Sequence, residues 1–182
     1  MNPLKQLEKE GQSIWLDFIR RSLVTSGELN RLIEEDGVSG VTSNPSIFQK
    51  SIAGSADYDE SLRKALERNP HQDINDLYET LVVEDIQMAA DVLRPVYDHT
   101  DGADGFVSLE VSPALAHDTK GTIKEAKRLW KDVGRPNLMI KVPATKEGIP
   151  ALEDLIGSHT LVGGRGATSP LECQEKPDRR RR

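Results

Sequence analysis

The sequence predicts an α/β protein built from parallel strand–helix units. Three observations carry that reading. Short apolar runs recur along the chain, at "IWLDF" (14–18), "VSGVTS" (38–43), "FVSLEV" (106–111) and "LMIKVPA" (138–144). They alternate with longer stretches of helical period, the order expected of βα units. Three of the runs also carry one ionisable residue near their C-terminal end, on the face opposite the aliphatic side chains.

Taken in order, the first strand is read at 14–18. The stretch "TSGELNRLIEED" (25–36) opens with Thr25 and has Glu28 three positions on, a capping-box pattern that predicts a helix starting there. The second strand follows at 38–43. Residues 45–72 are irregular, with a short helix expected near 57–68. A long helix is expected over 73–96, with Asp73 as N-cap and Ile74, Leu77, Leu81, Met88 and Val92 as its apolar stripe. Pro95 is expected to end it. After the third strand, a helix over 118–134 starts at Asp118, buries Ile123, Ala126, Trp130 and Val133, and stops at Gly134. "EGIPALEDLIG" reads as one more helix behind the fourth strand. From Ser158 the text becomes glycine-rich, without period, and carries six Lys/Arg against three Asp/Glu, so a disordered basic tail is expected over 158–182.

Composition narrows the function classes. The chain has 182 residues, enough for one ordinary domain, and a net charge of −6, which argues against a general nucleic-acid binder. The "RRRR" at 179–182 reads as a solvated charge run. One cysteine, Cys173, allows no internal disulfide and fits a reducing compartment. The first twenty residues lack the apolar core of a secretory signal, and no stretch approaches the roughly 18 apolar residues of a membrane span. A cytoplasmic protein with no membrane partner is expected. His71, His99, His117 and His159 show no metal-ligand spacing, and no phosphate-loop or dinucleotide motif occurs.

The candidate chemistry centres on "NLMIKVPAT" (137–145). A strand covered on both faces should be nearly all apolar, and Lys141 interrupts it. Alternation puts Met139, Lys141 and Pro143 on one face, Ser108 and Glu110 on one face of their strand, and Trp15 and Asp17 on one face of theirs. At the mouth of a β/α barrel such residues converge, which would place one lysine and two carboxylates together. A lysine attacks a carbonyl only as the free amine, about one molecule in 2,500 at pH 7 for the reference pKa. Burial lowers that pKa, and a nearby carboxylate moves the protons of imine formation. Lys141, Glu110 and Asp17 are the smallest set for imine chemistry. From the pattern alone, the alternatives of a structural Lys141–Glu110 ion pair or an exposed edge lysine stay open. In "GVTSNPSIF" (40–48), Thr42, Ser43 and Asn44 are placed to hydrogen-bond substrate hydroxyls, or else to cap the turn that follows.

"WLDFIRR", "GVSGVTSNPSIF", "YDESL", "SLEVSP" and "LMIKVPAT" together closely resemble the transaldolase family, in particular its longer bacterial-type members, over about residues 1–157. The resemblance implies an aldolase-type (β/α)8 barrel that needs no metal or organic cofactor. It implies transfer of a dihydroxyacetone unit from a sugar phosphate such as sedoheptulose 7-phosphate to glyceraldehyde 3-phosphate, in the non-oxidative pentose phosphate pathway. Lys141 falls on the family's Schiff-base lysine, Glu110 on the carboxylate that works through a water, Asp17 on the carboxylate of C–C cleavage, and Asn44 on the asparagine that binds the dihydroxyacetone portion.

Family members run to roughly twice this length, so the expectation is an N-terminal half-barrel of four strands (1–157) followed by a tail unrelated to the family (158–182). That tail reads as a frameshift or truncated product. A half-barrel exposes strand edges open to self-association and is expected to turn over poorly or not at all. A Schiff-base fructose 6-phosphate aldolase and a non-catalytic fragment are the rival readings.

Overall fold

The computed structural model describes residues 2–158, 160 and 162–164. These residues form two compact units, one drawn from 2–110 and Trp130–Leu138, the other from Val111–Leu129 and the described residues of 139–164.

The first unit contains β1 (Ile14–Leu16), β2 (Val38–Val41) and β3 (Phe106–Glu110). They pair parallel, with Trp15 opposite Gly40 and Gly40 opposite Phe106. Hydrophobic β-branched and aromatic side chains make these segments strands: Val38, Val41, Phe106, Val107 and Leu109 are all buried. Helices α1 (Pro3–Lys9), α2 (Arg21–Thr25), α3 (Glu28–Asp36), α4 (Pro45–Ala53), α5 (Asp59–Arg68) and α6 (Ile74–His99) belong to the same unit, with a 3-10 turn at Ala56–Tyr58. Asn137, fully buried, donates to Ala90 O (2.8 Å) and Gly105 O (2.9 Å) and ties α6 to the start of β3.

The second unit contains most of β4 (Leu138–Val142), then α8 (Gly148–Gly157) and β5 (Val162–Gly164). The two strands pair parallel, with Lys141 opposite Gly163. Ala151 and Leu155 are the buried face of α8. Helix α7 (Thr119–Val133) begins in this unit, where the Asp118 carboxylate accepts from Gly121 N (2.9 Å) as its N-cap.

The strand–helix alternation and the parallel pairing agree with the α/β class read from the sequence. Four local expectations change. The helix expected to start at Thr25 starts at Glu28 instead, with Gly27 (φ +81°) before it, and Thr25 is the last residue of the preceding helix Arg21–Thr25. The Thr25 hydroxyl bonds back to Arg21 O instead of capping. Pro95 does not stop α6, which runs on to His99. A proline this close to the end removes one backbone bond, and Thr100 closes the last turn by donating twice to Val96 O, from N (3.0 Å) and Oγ1 (2.9 Å). The stripe of α6 also shifts: Ile74 is 76% exposed, while Val82, Asp85, Ile86, Ala89, Ala90 and Leu93 are buried. Finally, a fifth strand lies at 162–164, where no structure was expected. Two of its three residues are glycine, so nothing local marks it, and pairing with β4 creates it. The rest of the expected disordered tail, 159, 161 and 165–182, lies outside the described residues.

Candidate active site

The first unit carries five of the six candidate side chains. Asp17 follows the last residue of β1 and is exposed. Thr42, Ser43 and Asn44 follow the last residue of β2, and Glu110 is the last residue of β3, half-buried. All five therefore stand at C-terminal strand ends, where open α/β sheets and barrels place their ligands.

Below them lies an aromatic layer. Trp15 stacks on Phe106 (centroids 6.5 Å apart, planes at 22°), and Tyr97 meets Phe106 edge-on at 5.4 Å. Gly40 sits between the two strands that carry Trp15 and Phe106, and a Cβ there would lie 2.4 Å from the indole. Only glycine leaves room for that ring. Carrying the register on by two residues puts Asp17 level with Thr42, and Thr42 level with Ser108. The second step is confirmed by contact, since Ser108 Oγ donates to Thr42 Oγ1 at 3.0 Å.

Ser43 turns the other way. It is 1% exposed, and its hydroxyl donates to the Ser108 carbonyl at 2.7 Å, pinning the end of β2 to β3. Asn44 is the N-cap of α4: its Oδ1 accepts from Ile47 N at 3.0 Å, and Pro45 occupies the first helical position. That bond fixes which end of the amide is which, so Nδ2 is the end left to donate.

Lys141 lies in the second unit, fourth of the five residues of β4. Leu138, Met139, Ile140 and Val142 around it are buried, and Lys141 alone in the strand is half-exposed. The carbonyl of Lys141 accepts from Val111 N at 3.2 Å. Past the strand the chain turns so sharply that a Cβ on Gly148 would lie 1.8 Å from Pro143 O. Thr145 braces the turn, its Oγ1 donating to Ala116 O and accepting from Gly148 N. The lysine at the centre of "NLMIKVPAT" is thus carried by a strand anchored by its apolar neighbours, with only its own side chain reaching out of the core.

One polar cluster of the first unit escaped sequence reasoning. Arg21 (8% exposed) and Asp85 (0%) form a buried ion pair, Nε to Oδ1 at 2.7 Å, and Tyr58 Oη donates to Asp85 Oδ2 at 2.7 Å. Burial pushes the Asp85 carboxyl above its ordinary pKa despite these bonds, and pushes the Tyr58 hydroxyl up, so it remains a donor. The available signal is Asp85 itself, an aspartate on the otherwise apolar buried face of α6.

Among the described residues, no group of three or more His, Cys, Asp or Glu is placed to hold a metal, and no helix is long and apolar enough to cross a membrane.

Comparison with known proteins agrees in extent with these elements. A family model described as Transaldolase/Fructose-6-phosphate aldolase matches residues 14–162. The chain is 51% identical over 155 residues to "Transaldolase" of Thiobacillus denitrificans, covering 85% of this chain and 43% of that protein. It is 48% identical over 155 residues to "Transaldolase 2" of Nostoc punctiforme (85% and 40%), and 51% over 161 residues to "Transaldolase" of Acidothermus cellulolyticus (88% and 43%). The chain therefore spans about two fifths of the length of the curated relatives it matches.

Proposed function

Because the chain belongs to the transaldolase/fructose-6-phosphate aldolase family, we propose that Lys141 is a Schiff-base lysine acting on the ketone of a sugar phosphate, in the transfer of a dihydroxyacetone unit. The observation that supports this most is that the family match spans every candidate, each within one residue of, or just past, the C-terminal end of its own strand.

The steps follow from the residue types. The neutral Lys141 amine adds to the ketone carbon, and the carbinolamine loses water to give an iminium. Glu110 moves the protons of addition and dehydration through a water. Asp17 takes the proton of the hydroxyl beside the breaking bond. The C–C bond then cleaves, its electron pair passing into the iminium to leave an enamine and a free aldehyde. Attack of the enamine on an acceptor aldehyde reverses the sequence, and hydrolysis frees Lys141. Asn44 Nδ2 and the Thr42 hydroxyl bind hydroxyl oxygens of the three-carbon unit, and Ser43 supports them from behind through Ser108. The donor and acceptor we assign are sedoheptulose 7-phosphate and glyceraldehyde 3-phosphate, in the non-oxidative pentose phosphate pathway, in the cytoplasm.

The chain incubated with fructose 6-phosphate and then borohydride should carry a dihydroxyacetone adduct on Lys141, located by peptide mass spectrometry. A folded chain with no adduct, or with the adduct on another lysine, would sink the reading. The matched family's description also includes fructose-6-phosphate aldolase. Dihydroxyacetone released without any acceptor sugar would favour that second reading.

A further inference from the structure

We propose that the buried Arg21–Tyr58–Asp85 cluster is a positioning device for Asp17: it holds the far end of the link 17–20 and so sets where the Asp17 carboxylate stands. The inference rests on the role given to Asp17 above.

Asp17 is exposed, and no hydrogen bond or ion pair holds its carboxylate among the described residues. Its position is therefore set through the backbone. The link is pinned at both ends. At the near end, Thr42 N donates to Leu16 O at 2.9 Å. At the far end, the fully buried Ile19 accepts at its carbonyl from Ser51 Oγ (3.2 Å), and Arg21 N donates to Tyr58 Oη (3.1 Å).

The Tyr58 hydroxyl is the joint of the cluster. It accepts from the Arg21 backbone and donates to Asp85 Oδ2, while Asp85 Oδ1 accepts from the Arg21 side chain. The guanidinium lies 4.7 Å over the Tyr58 ring, and its remaining arms reach Glu84 (2.9 Å) and Ser61. Backbone and side chain of one residue are thus closed into a ring with α6 and the 3-10 turn. A buried ion pair is seldom more stabilising than apolar side chains of the same size. What apolar side chains cannot supply is a bond to a particular backbone N–H, and that bond is the one that places the link.

Tyr58→Phe keeps the ring and removes the joint. Amide hydrogen exchange should rise about tenfold at the amides of 18–21 and stay unchanged at 42–48 and in β3. The six-carbon fructose 6-phosphate adduct on Lys141, trapped by borohydride before cleavage, should be undiminished, while release of glyceraldehyde 3-phosphate, and with it the dihydroxyacetone adduct, slows about tenfold. In an Asp17→Asn background, Tyr58→Phe should slow it no further. Ser51→Ala, which removes the other far-end pin, should act at the same amides about threefold. A uniform rise in exchange, or an equal further slowing in the Asp17→Asn background, would overturn the proposal. If the parent chain forms no Lys141 adduct, the reading of the site fails separately, and the exchange pattern alone then decides whether the cluster holds the link.

Discussion

The ends of β1 and β2 lie side by side in one unit and are built in opposite ways. At the end of β2, each polar side chain is tied directly: Thr42 to Ser108 Oγ, Ser43 to Ser108 O, and Asn44 to the first turn of α4. At the end of β1, Asp17 stands exposed, and the ties are displaced to Ile19 and Arg21, beyond it in the chain. The difference has a chemical logic. Groups that bind gain from being held in one orientation, and a hydrogen bond to the scaffold does this at little cost. In the proposed reaction Asp17 accepts a proton; donors placed on its carboxylate would lower its basicity, so a position held through the backbone suits that proposed role.

Removing the remote anchor should have the largest effect. Asp85→Ala leaves Arg21 buried with only Glu84 and Ser61, and is expected to cost about 3–5 kcal/mol in urea unfolding. Gly40→Ala strikes beneath both strand ends at once. Its methyl would overlap the Trp15 indole, for an expected loss of about 1–3 kcal/mol with a shift in tryptophan fluorescence. A smaller change separates holding from binding at β2. Asn44→Ala should lose about 1 kcal/mol with the cap, whereas Asn44→Asp should keep the cap and lose only Lys141 trapping, because it retains the acceptor and removes the donor.

The smallest expected effect lies at a surface tie away from both ends. Arg135 pairs with Asp91 (Nη2 to Oδ2 at 2.9 Å), and that hydrogen bond holds the Asp91 carboxyl below its ordinary pKa. A lowered folded-state pKa contributes stability above the unfolded value, near pH 4, which is lost as the pH falls through the folded value. Arg135→Ala should therefore lower the melting temperature slightly at pH 7 and not at all at pH 2. An equal shift at both would mean that packing, not charge, is what Arg135 contributes.

The strands and the positions of the candidate side chains were legible because both depend on local alternation. Val107, Leu109, Leu138 and Ile140 announce buried faces, and the period of two then places Glu110 and Lys141 opposite them. Helix ends were less legible, as Thr25 and Pro95 show, since a cap or a stop is decided by a few bonds that a neighbouring residue can take instead. The orientation of Ser43 was not legible at all: its neighbours Thr42 and Asn44 give the same polar signal, and only the approach of β3 turns its hydroxyl inward.

The sequence by itself determined the α/β class, the order of the first four strands, the family, and the place of each candidate residue at or near the C-terminal end of its strand. These are properties of period and motif, carried by neighbours within a few residues. Tertiary structure alone decided that a glycine pair at 163–164 becomes a strand, that Gly40 makes way for Trp15, and that Arg21, Tyr58 and Asp85 meet. Those contacts join residues up to 64 positions apart. Their energies come from burial and from hydrogen bonds closed across the chain, and no local propensity records them.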